Sequence, residues 1–360
     1  MPVARSFLGP LGSLSLLVLV LVLAFASAPA VVAQDYSDGF SSDKFRQLDE
    51  LLPTANAYRT ASGAPGHGYW QQEVDYKIDV EIDDERQILT GSETISYRNH
   101  SPDTLRYLWL QLDQNLFRPD SQGRLAEPAP KMRERGKDDE EKRLSLSFSA
   151  LRRNLYLERF QGGHTIQRVA DAQDQELEHT VLGTMMRIDL PAPLAPGDEV
   201  VFTVDWSYPI NDAVAVRSRS GYEYFEDDGN YLYEMAQWFP RLVAYTDYAG
   251  WQHKAFIGRG EFTLEFGDYL VNITVPDDHV VASTGVLQNP DECLKPEWKE
   301  RLEEARTSDR PVLIVTREEA EANETTAPEG TNTWTFAAEN VRDFAWASSR
   351  KFIWDAKLHP

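Results

Sequence analysis

The feature that most constrains the fold is a period-two alternation of apolar and polar residues. In Tyr69–Asp83 ("YWQQEVDYKIDVEID") every second residue from Val74 to Ile82 is apolar. Ile88–Ser101 ("ILTGSETISYRNHS") continues the alternation, and an acidic pair that begins at Asp83 separates the two segments. Because alternate side chains of a strand face opposite sides of a sheet, the two segments predict an antiparallel hairpin with one buried face.

The same alternation, or a short apolar run, recurs along the chain. The further predicted strand segments are Leu105–Phe117, Leu155–Gln161, His179–Pro191, Gly197–Ile210, Gly260–Leu287, Pro311–Thr316, Thr331–Glu339 and the stretch from there to Arg350. Aromatic residues make up 11% of the chain, which favours sheets over helix bundles. We predict a mainly β fold, a large antiparallel β-sandwich (a saddle-like, multi-sheet domain) with one or two short helices. Lys295–Asp309, with a proline in its first turn and mixed i,i+4 charges, is the clearest predicted helix.

The first 33 residues predict a secretory signal peptide. Arg5 is their only charged residue, and Leu14–Ala28 is an apolar run with only Ser15 and Ser27 as polar residues. Val31 and Ala33 are small residues at the −3 and −1 positions of a cleavage site before Gln34. We therefore expect export to the periplasm or the extracellular space, with no membrane span after cleavage. A retained membrane anchor is the alternative.

The rest of the chain divides into three parts by composition. Residues 34–66 are polar and predict a flexible N-terminal segment with one amphipathic helix, Ser42–Pro53. Residues 67–356 carry the alternation and predict the β domain, with an exposed charged loop at 118–147. Residues 357–360 follow the last apolar segment.

The chain is acidic, with 58 Asp and Glu against 36 Lys and Arg and a formal net charge of −22. The sequence has no basic stripe, so we expect no nucleic-acid partner. Negative charge of this kind is typical of a solvated surface, and it would also suit a cleft that gathers cationic ligands.

Motifs for catalysis and metal binding are absent from the sequence. It has seven histidines but no HExxH, H-x-H, CxxC, G-x-S-x-G or glycine-rich phosphate loop. The single cysteine, Cys293, allows no intramolecular disulfide, and its acidic surroundings do not favour a reactive thiolate. The acid pairs Asp227-Asp228 and Asp277-Asp278 are typical of turns, with hydrolytic carboxylates or calcium ligands as the alternative. We expect these 360 residues to contain no catalytic residue and to bind no cofactor.

Tyr222–Gln252 ("YEYFEDDGNYLYEMAQWFPRLVAYTDYAGWQ") differs from the other segments. It is rich in Tyr, Trp and Phe, and Glu234, Gln237 and Arg241 are polar groups among these rings. One interpretation is a loop that aromatic side chains anchor over the sandwich. The other is the wall of a site for an amine-bearing ligand, with acid or amide groups held among the rings.

Four segments in this order carry a family resemblance. They are "YKIDVEIDDERQILTGSETISYRNHSPDTLRYLWLQLDQN", "AQWFPRLVAYTDYAGWQ", "GRGEFTLEFGDYLVNITVPDDHVVASTGVLQNP" and "NVRDFAWASSRKFIWDA". Together they resemble the N-terminal domain of aminopeptidase N-like (gluzincin) zinc metallopeptidases, and more narrowly the exported bacterial branch. The resemblance covers roughly residues 69–356.

The resemblance implies a catalytic domain after this one, which would hold zinc through HExxH and a distant Glu. None of those motifs occurs in the sequence. We therefore expect the chain to be truncated before the catalytic zinc domain, with 357–360 as the start of the linker, and to be inactive by itself. The alternative is a stand-alone, non-catalytic exported β-sandwich that binds a peptide or a partner protein.

The resemblance also implies a substrate-binding role for one residue of this domain. In the family, a Gln or Glu near an "FP" segment binds the free α-amino group of the peptide, which selects substrates with a free N-terminus. Glu234 and Gln237 are the candidates here, and the spacing before Phe239-Pro240 leaves both open. The other possibility is that both side chains only hold the loop in place.

Overall fold

The hairpin predicted from the alternation lies at the centre of a seven-stranded sheet. The computed structural model describes residues 55–127, 132–135, 143–260 and 263–359. In it, β1 (Glu73–Asp83) and β2 (Ile88–Arg98) pair antiparallel over eleven residues each. The alternate apolar residues from Val74 to Ile82 are all buried, so the predicted face is confirmed.

The remaining described elements follow in chain order. The strands are β3 (Leu105–Gln111), β4 (Arg133–Arg135), β5 (Arg143–Ser145), β6 (Thr165–Asp171), β7 (His179–Leu182), β8 (Met185–Leu194), β9 (Glu199–Pro209), β10 (Gly221–Phe225), β11 (Asn230–Met235), β12 (Arg241–Leu242), β13 (Tyr245–Thr246), β14 (Gly250–Trp251), β15 (Gly267–Pro276), β16 (Val280–Ser283), β17 (Val286–Leu287), β18 (Val312–Val315), β19 (Thr331–Val341), β20 (Trp346–Ser349) and β21 (Trp354–Ala356). The helices are a 3₁₀-helix (Asp113–Phe117), α1 (Gln122–Leu125), α2 (Phe148–Arg159), α3 (Ala213–Val216), α4 (Pro290–Cys293), α5 (Pro296–Ala305) and α6 (Arg317–Asn323).

Three main sheets form the domain. The seven-stranded sheet has the order β17-β19-β15-β1-β2-β9-β6, and the two four-stranded sheets have the orders β12-β3-β8-β7 and β10-β11-β20-β16. Their inner faces contribute to one apolar core, which includes Ile78 of β1, Leu108 of β3 and Tyr233 of β11. This packing of sheets confirms the mainly β, sandwich-type fold.

One strand pair departs from the antiparallel pattern. β1 and β15 are parallel, with Tyr76 opposite Tyr269 and Val80 opposite Ile273. The two strands lie far apart in the sequence, and a parallel pair requires such a long crossover connection. Each of the two strands has a neighbouring strand on either side, at the centre of the sheet.

Some predicted element boundaries are wrong. Leu155–Gln161 was predicted as a strand, but most of it belongs to helix α2. Ser147 caps that helix, because its hydroxyl accepts a hydrogen bond from the Ala150 amide at 3.2 Å. The strand predicted over Leu105–Phe117 ends at Gln111 and continues as the 3₁₀-helix.

Other predictions agree with the structure or lie outside it. The clearest predicted helix is present as α5, and short helices are more numerous among the described residues than the one or two expected. The charged segment 118–147 contains α1 and the short hairpin of β4 and β5 in its described parts. The predicted signal peptide (1–33) and the helix Ser42–Pro53 lie outside the described residues. Within the described ranges, no helix has the length and apolar character needed to cross a bilayer.

Candidate functional site

The segment from Gln237 to Arg241 connects β11 to β12 and is anchored in the core. Trp238 and Phe239 have no exposed surface, and the Trp238 indole Nε1 donates to the carbonyl of Phe344 at 2.8 Å. Gln237 has a left-handed backbone with φ of 55°. Its carbonyl accepts a hydrogen bond from the Gln114 side-chain amide at 2.9 Å. The backbone of Gln237 is therefore held in an unusual conformation by neighbours on both sides.

A buried ion pair holds the end of this segment. Arg241 donates to Asp113 Oδ2 through Nη2 at 2.5 Å and through Nε at 3.1 Å. Its Nη1 donates to Asp343 at 2.7 Å. The side chains of Arg241 and Asp113 are only 2% and 1% exposed. Because unpaired buried charges are costly, the three residues constrain one another strongly.

The structure separates the two predicted substrate-binding residues. Glu234 lies on β11 opposite Gly221 and Ala347, and its side chain is exposed. Gln237 is half-buried and lines a cavity of about 730 Å³. Glu234 does not line that cavity. In the part of the chain that the structure describes, the Gln237 side-chain amide has no hydrogen-bond partner.

The cavity lies between several short elements at the edge of the sandwich. Its wall is formed by the 3₁₀-helix, α1 and the residues just after it, α2, the loop that follows α3, and residues 256–260. Asp113 and Gln114, which hold Arg241 and Gln237, belong to the same wall. The anchored segment and the cavity therefore form one structural unit.

Arginines dominate the charge of this cavity. Among the described residues, five arginines line it, Arg124, Arg153, Arg217, Arg219 and Arg259, against the two carboxylates of Asp113 and Glu127. Each carboxylate is paired with an arginine, Asp113 with Arg241 and Glu127 with Arg153. This cluster has no counterpart in the sequence predictions, because its members come from four separate segments and form no basic run.

The aromatic residues of Tyr222–Gln252 mainly support the core. Trp238 contacts Trp206 and Trp346, with ring centroids 5.9 Å apart in each case, and Phe239 packs edge-on against Tyr76 at 5.4 Å. None of the Tyr or Trp residues of this segment lines the cavity. The interpretation of the rings as anchors is therefore supported. The segment is not a simple loop, however, since it contains β11 and four other short strands.

Burial shifts the pKa of several other titratable groups in the described part of the chain. Burial raises the pKa of Glu93 well above its ordinary value and lowers the pKa of His164 to about 3. Burial also raises the pKa of the Cys293 thiol to about 12, so Cys293 is not a ready nucleophile. The acid pairs at 227–228 and 277–278 lie in turns. Across the described ranges, no group of three or more His, Cys, Asp or Glu side chains could hold a metal ion.

Comparisons with known proteins give structural neighbours only. No family model matches the chain, and no curated protein matches it in sequence. The M1 zinc metallopeptidase from Deinococcus radiodurans is similar with a TM-score of 0.37 and 12% identity, over 79% of this chain and 43% of that chain. A mutant of it bound to a Tyr-Ser-Ala substrate has a TM-score of 0.37 and 12% identity, over 77% of this chain and 42% of that chain.

A further solved structure belongs to the same class. It is a two-domain M1 zinc metallopeptidase mutant bound to L-tryptophan, with a TM-score of 0.37 and 12% identity, over 79% of this chain and 44% of that chain. This chain thus spans less than half the length of the structures it is similar to. Similarity at this level assigns no residue role to this chain.

Proposed function

We propose that this chain is the substrate-facing N-terminal β domain of an exported aminopeptidase N-like zinc metallopeptidase, in which it helps to hold peptides by their free N-terminus. The sequence resemblance supplies the family, and residues 1–33 support export. The observation that carries the proposal is the position of Gln237. Its side-chain amide lines a cavity and has no hydrogen-bond partner among the described residues, on a backbone that Gln114 and the buried Arg241 hold in place.

A neutral amide in this position suits a peptide N-terminus. The carbonyl oxygen of the Gln237 side chain can accept a hydrogen bond from an α-ammonium, and hydrogen bonds to charged groups are stronger than those between neutral groups. Between the two candidates from the sequence, we assign this role to Gln237, because Glu234 lies outside the cavity.

Zinc does not fit the residues described in this chain. No cluster of suitable ligands exists among them, so no chemical step of the proposed peptidase is assigned here. We propose that a separate zinc-binding catalytic domain supplies the hydrolytic chemistry and that this chain supplies binding surface. The alternative of a non-catalytic peptide-binding sandwich shares the same cavity and the same use of Gln237.

Replacement of Gln237 by glycine tests the proposal. Glycine adopts a left-handed backbone without strain, so Gln237→Gly removes the side chain and preserves the local conformation. We expect the variant to bind the peptide Ala-Ala-Gln-Gln-Ala with a free C-terminal carboxylate roughly tenfold more weakly than the unmodified chain does, because one charge-assisted hydrogen bond is lost. Isothermal titration calorimetry on the 360-residue chain measures the change.

Two controls make the result specific. The N-acetylated peptide has no ammonium, so its affinity should be low and the same for both proteins. Glu234→Gln changes an exposed residue outside the cavity and should leave every affinity unchanged. Equal losses for free and acetylated peptides in Gln237→Gly, or no loss for either, would contradict the proposal.

A further inference from the structure

We propose that the arginine-lined cavity binds the carboxylates of peptides, and so selects peptides with acidic side chains or a free C-terminus close to the N-terminus that Gln237 holds. This inference rests on the proposed function for the identity of the ligand as a peptide. The charge of the cavity, its volume and the hydrogen bonds of its walls support the anion site independently of that function.

The described residues do not neutralise the positive charge of the cavity. Among the residues that the structure describes, Arg153 pairs with Glu127, whereas Arg124, Arg217, Arg219 and Arg259 have no carboxylate partner. One nitrogen of Arg124, Nη1, is buried with no hydrogen-bond partner. A buried guanidinium nitrogen without a partner is costly, and an anionic ligand would satisfy it.

The cluster also contrasts with the whole chain. The protein has a formal net charge of −22, yet the described residues that line this cavity include five arginines and two carboxylates. Guanidinium groups form paired hydrogen bonds with planar carboxylates, which gives an arginine cluster a geometric preference for them. A concave site lined by one sign of charge focuses its field and attracts ligands of the opposite charge, which here are anions.

Hydrogen bonds hold the backbone of the loop that carries two of the arginines. Buried Asn211 donates through Nδ2 to Ser218 Oγ at 2.7 Å and to the carbonyl of Ser220 at 2.9 Å. Ser220 Oγ in turn accepts from the Ala236 amide, at 3.3 Å, next to Gln237. Arg217 and Arg219 are thus held on a loop that is connected directly to the segment bearing Gln237.

The charges also restrict which ligand can reach Gln237. The four arginines that have no carboxylate partner among the described residues repel a bare cation, so an ammonium is disfavoured in this cavity unless the same ligand brings negative charge with it. A peptide with a free N-terminus and nearby carboxylates meets both conditions. A volume of about 730 Å³ is within the usual range for sites that enclose small ligands.

Three pentapeptides of equal length test the inference on the 360-residue chain. They are Ala-Ala-Glu-Glu-Ala amide, its neutral isostere Ala-Ala-Gln-Gln-Ala amide, and Ala-Ala-Gln-Gln-Ala with a free C-terminal carboxylate. We expect calorimetry at low salt to show roughly tenfold tighter binding of the Glu peptide than of its Gln isostere, and a smaller gain from the C-terminal carboxylate. Both gains should shrink as salt is added, because the arginines are partly exposed.

Variants then test whether the preference for the Glu peptide depends on the arginines of the cavity. Arg217→Gln/Arg219→Gln should bring the affinity for the Glu peptide to within about threefold of that for the Gln isostere. Arg317→Gln/Arg86→Gln removes the same charge at residues that are 70% and 76% exposed and do not line the cavity, and it should change nothing. Arg259→Gln changes a cavity arginine on a separate loop. It replaces the double variant in this test if circular dichroism shows that the double variant is unfolded.

Several outcomes would overturn the inference. One is equal affinity, or equal absence of binding, for the Glu peptide and its Gln isostere. Another is loss of the preference in the control double variant as well as in the cavity variant. Displacement of the Glu peptide by inorganic phosphate at similar concentration would identify a general anion site rather than a peptide site. Equal losses of affinity for the free and the N-acetylated peptide in Gln237→Gly would instead count against the proposed function. That comparison changes the ammonium of the peptide and leaves its carboxylates unchanged.

Discussion

At the scale of single residues, burial shifts the pKa of side chains whose charged form the core does not fully stabilise. Glu265 is the clearest example close to the aromatic segment. Its carboxylate accepts a hydrogen bond from the Tyr245 amide at 3.1 Å. Burial nevertheless raises its pKa to about 7, while that hydrogen bond and the nearby Arg342 act in the opposite direction. The folded protein therefore prefers Glu265 protonated, and its ionisation near neutral pH destabilises the fold.

We expect Glu265→Gln to stabilise the protein only at higher pH. Glutamine keeps an oxygen for the Tyr245 amide but cannot ionise. Because the pKa of Glu265 is raised from 4.5 to about 7, its unfavourable contribution is absent below about pH 4.5 and complete above about pH 7. Urea unfolding should show a gain of up to about 3 kcal/mol at pH 8 that vanishes near pH 4.5. The exposed Glu223→Gln is the control, and a gain that is independent of pH would refute the explanation.

At the scale of elements, side-chain caps at the N-terminus stabilise short helices that the alternation of apolar residues does not predict. Helix α6 has seven residues, a length at which an isolated helix is unstable. Thr316 and Glu319 form a capping box, with the Glu319 amide donating to Thr316 Oγ1 at 3.3 Å and the Thr316 amide donating to Glu319 Oε2 at 2.8 Å. Helix α2 begins in a similar way at Ser147, which explains why a segment with strand-like residues becomes helical.

Removal of the α6 cap should destabilise the protein measurably. We expect Thr316→Ala to lower the free energy of unfolding by about 1 kcal/mol, because the amide of Glu319 loses its partner. Thr316→Ser keeps the hydroxyl and should remain close to the unmodified protein. Urea unfolding at pH 7 measures both variants. Equal stability of the alanine and serine variants would show that the cap contributes nothing.

At the scale of the whole molecule, buried arginines connect parts that are distant in sequence. Arg241 joins the 3₁₀-helix that follows β3 to the connection between β19 and β20, through Asp113 and Asp343. Arg350 donates to both oxygens of Asp278 at 3.0 Å and to Asn230 at 3.1 Å. These groups fix how the sheets sit against one another, and the Arg241 group also shapes the cavity wall.

Loss of Arg241 should therefore be far more costly than loss of its exposed partner. We expect Arg241→Met to lower the free energy of unfolding by about 3–5 kcal/mol, because Asp113 is left buried without its counterion. Asp343→Asn affects a side chain that is 40% exposed and should cost no more than about 1 kcal/mol. The double variant Arg241→Met/Asp113→Asn should recover part of the loss. Similar costs for Arg241→Met and Asp343→Asn, measured by urea unfolding, would contradict this account.

The sequence by itself determined the parts of the protein that depend on local pattern. The alternation in β1 and β2 specified a hairpin and its buried face, since a shift of one residue would expose every apolar side chain. The turn chemistry at the acid pairs and the helix at α5 were equally readable, because neighbouring residues decide them. The mainly β fold follows from the repetition of these local signals.

Only the tertiary structure decided the features that depend on contacts between distant residues. The parallel pairing of β1 with β15 and the helical state of most of Leu155–Gln161 depend on packing and capping rather than on periodicity. Gln237 and Glu234 are three residues apart, and the sequence does not distinguish them. In the structure Gln237 has a left-handed backbone and lines the cavity, whereas Glu234 does not line it. The sequence does not predict the arginine cavity, because its arginines come from separate segments that only folding brings to one concave surface.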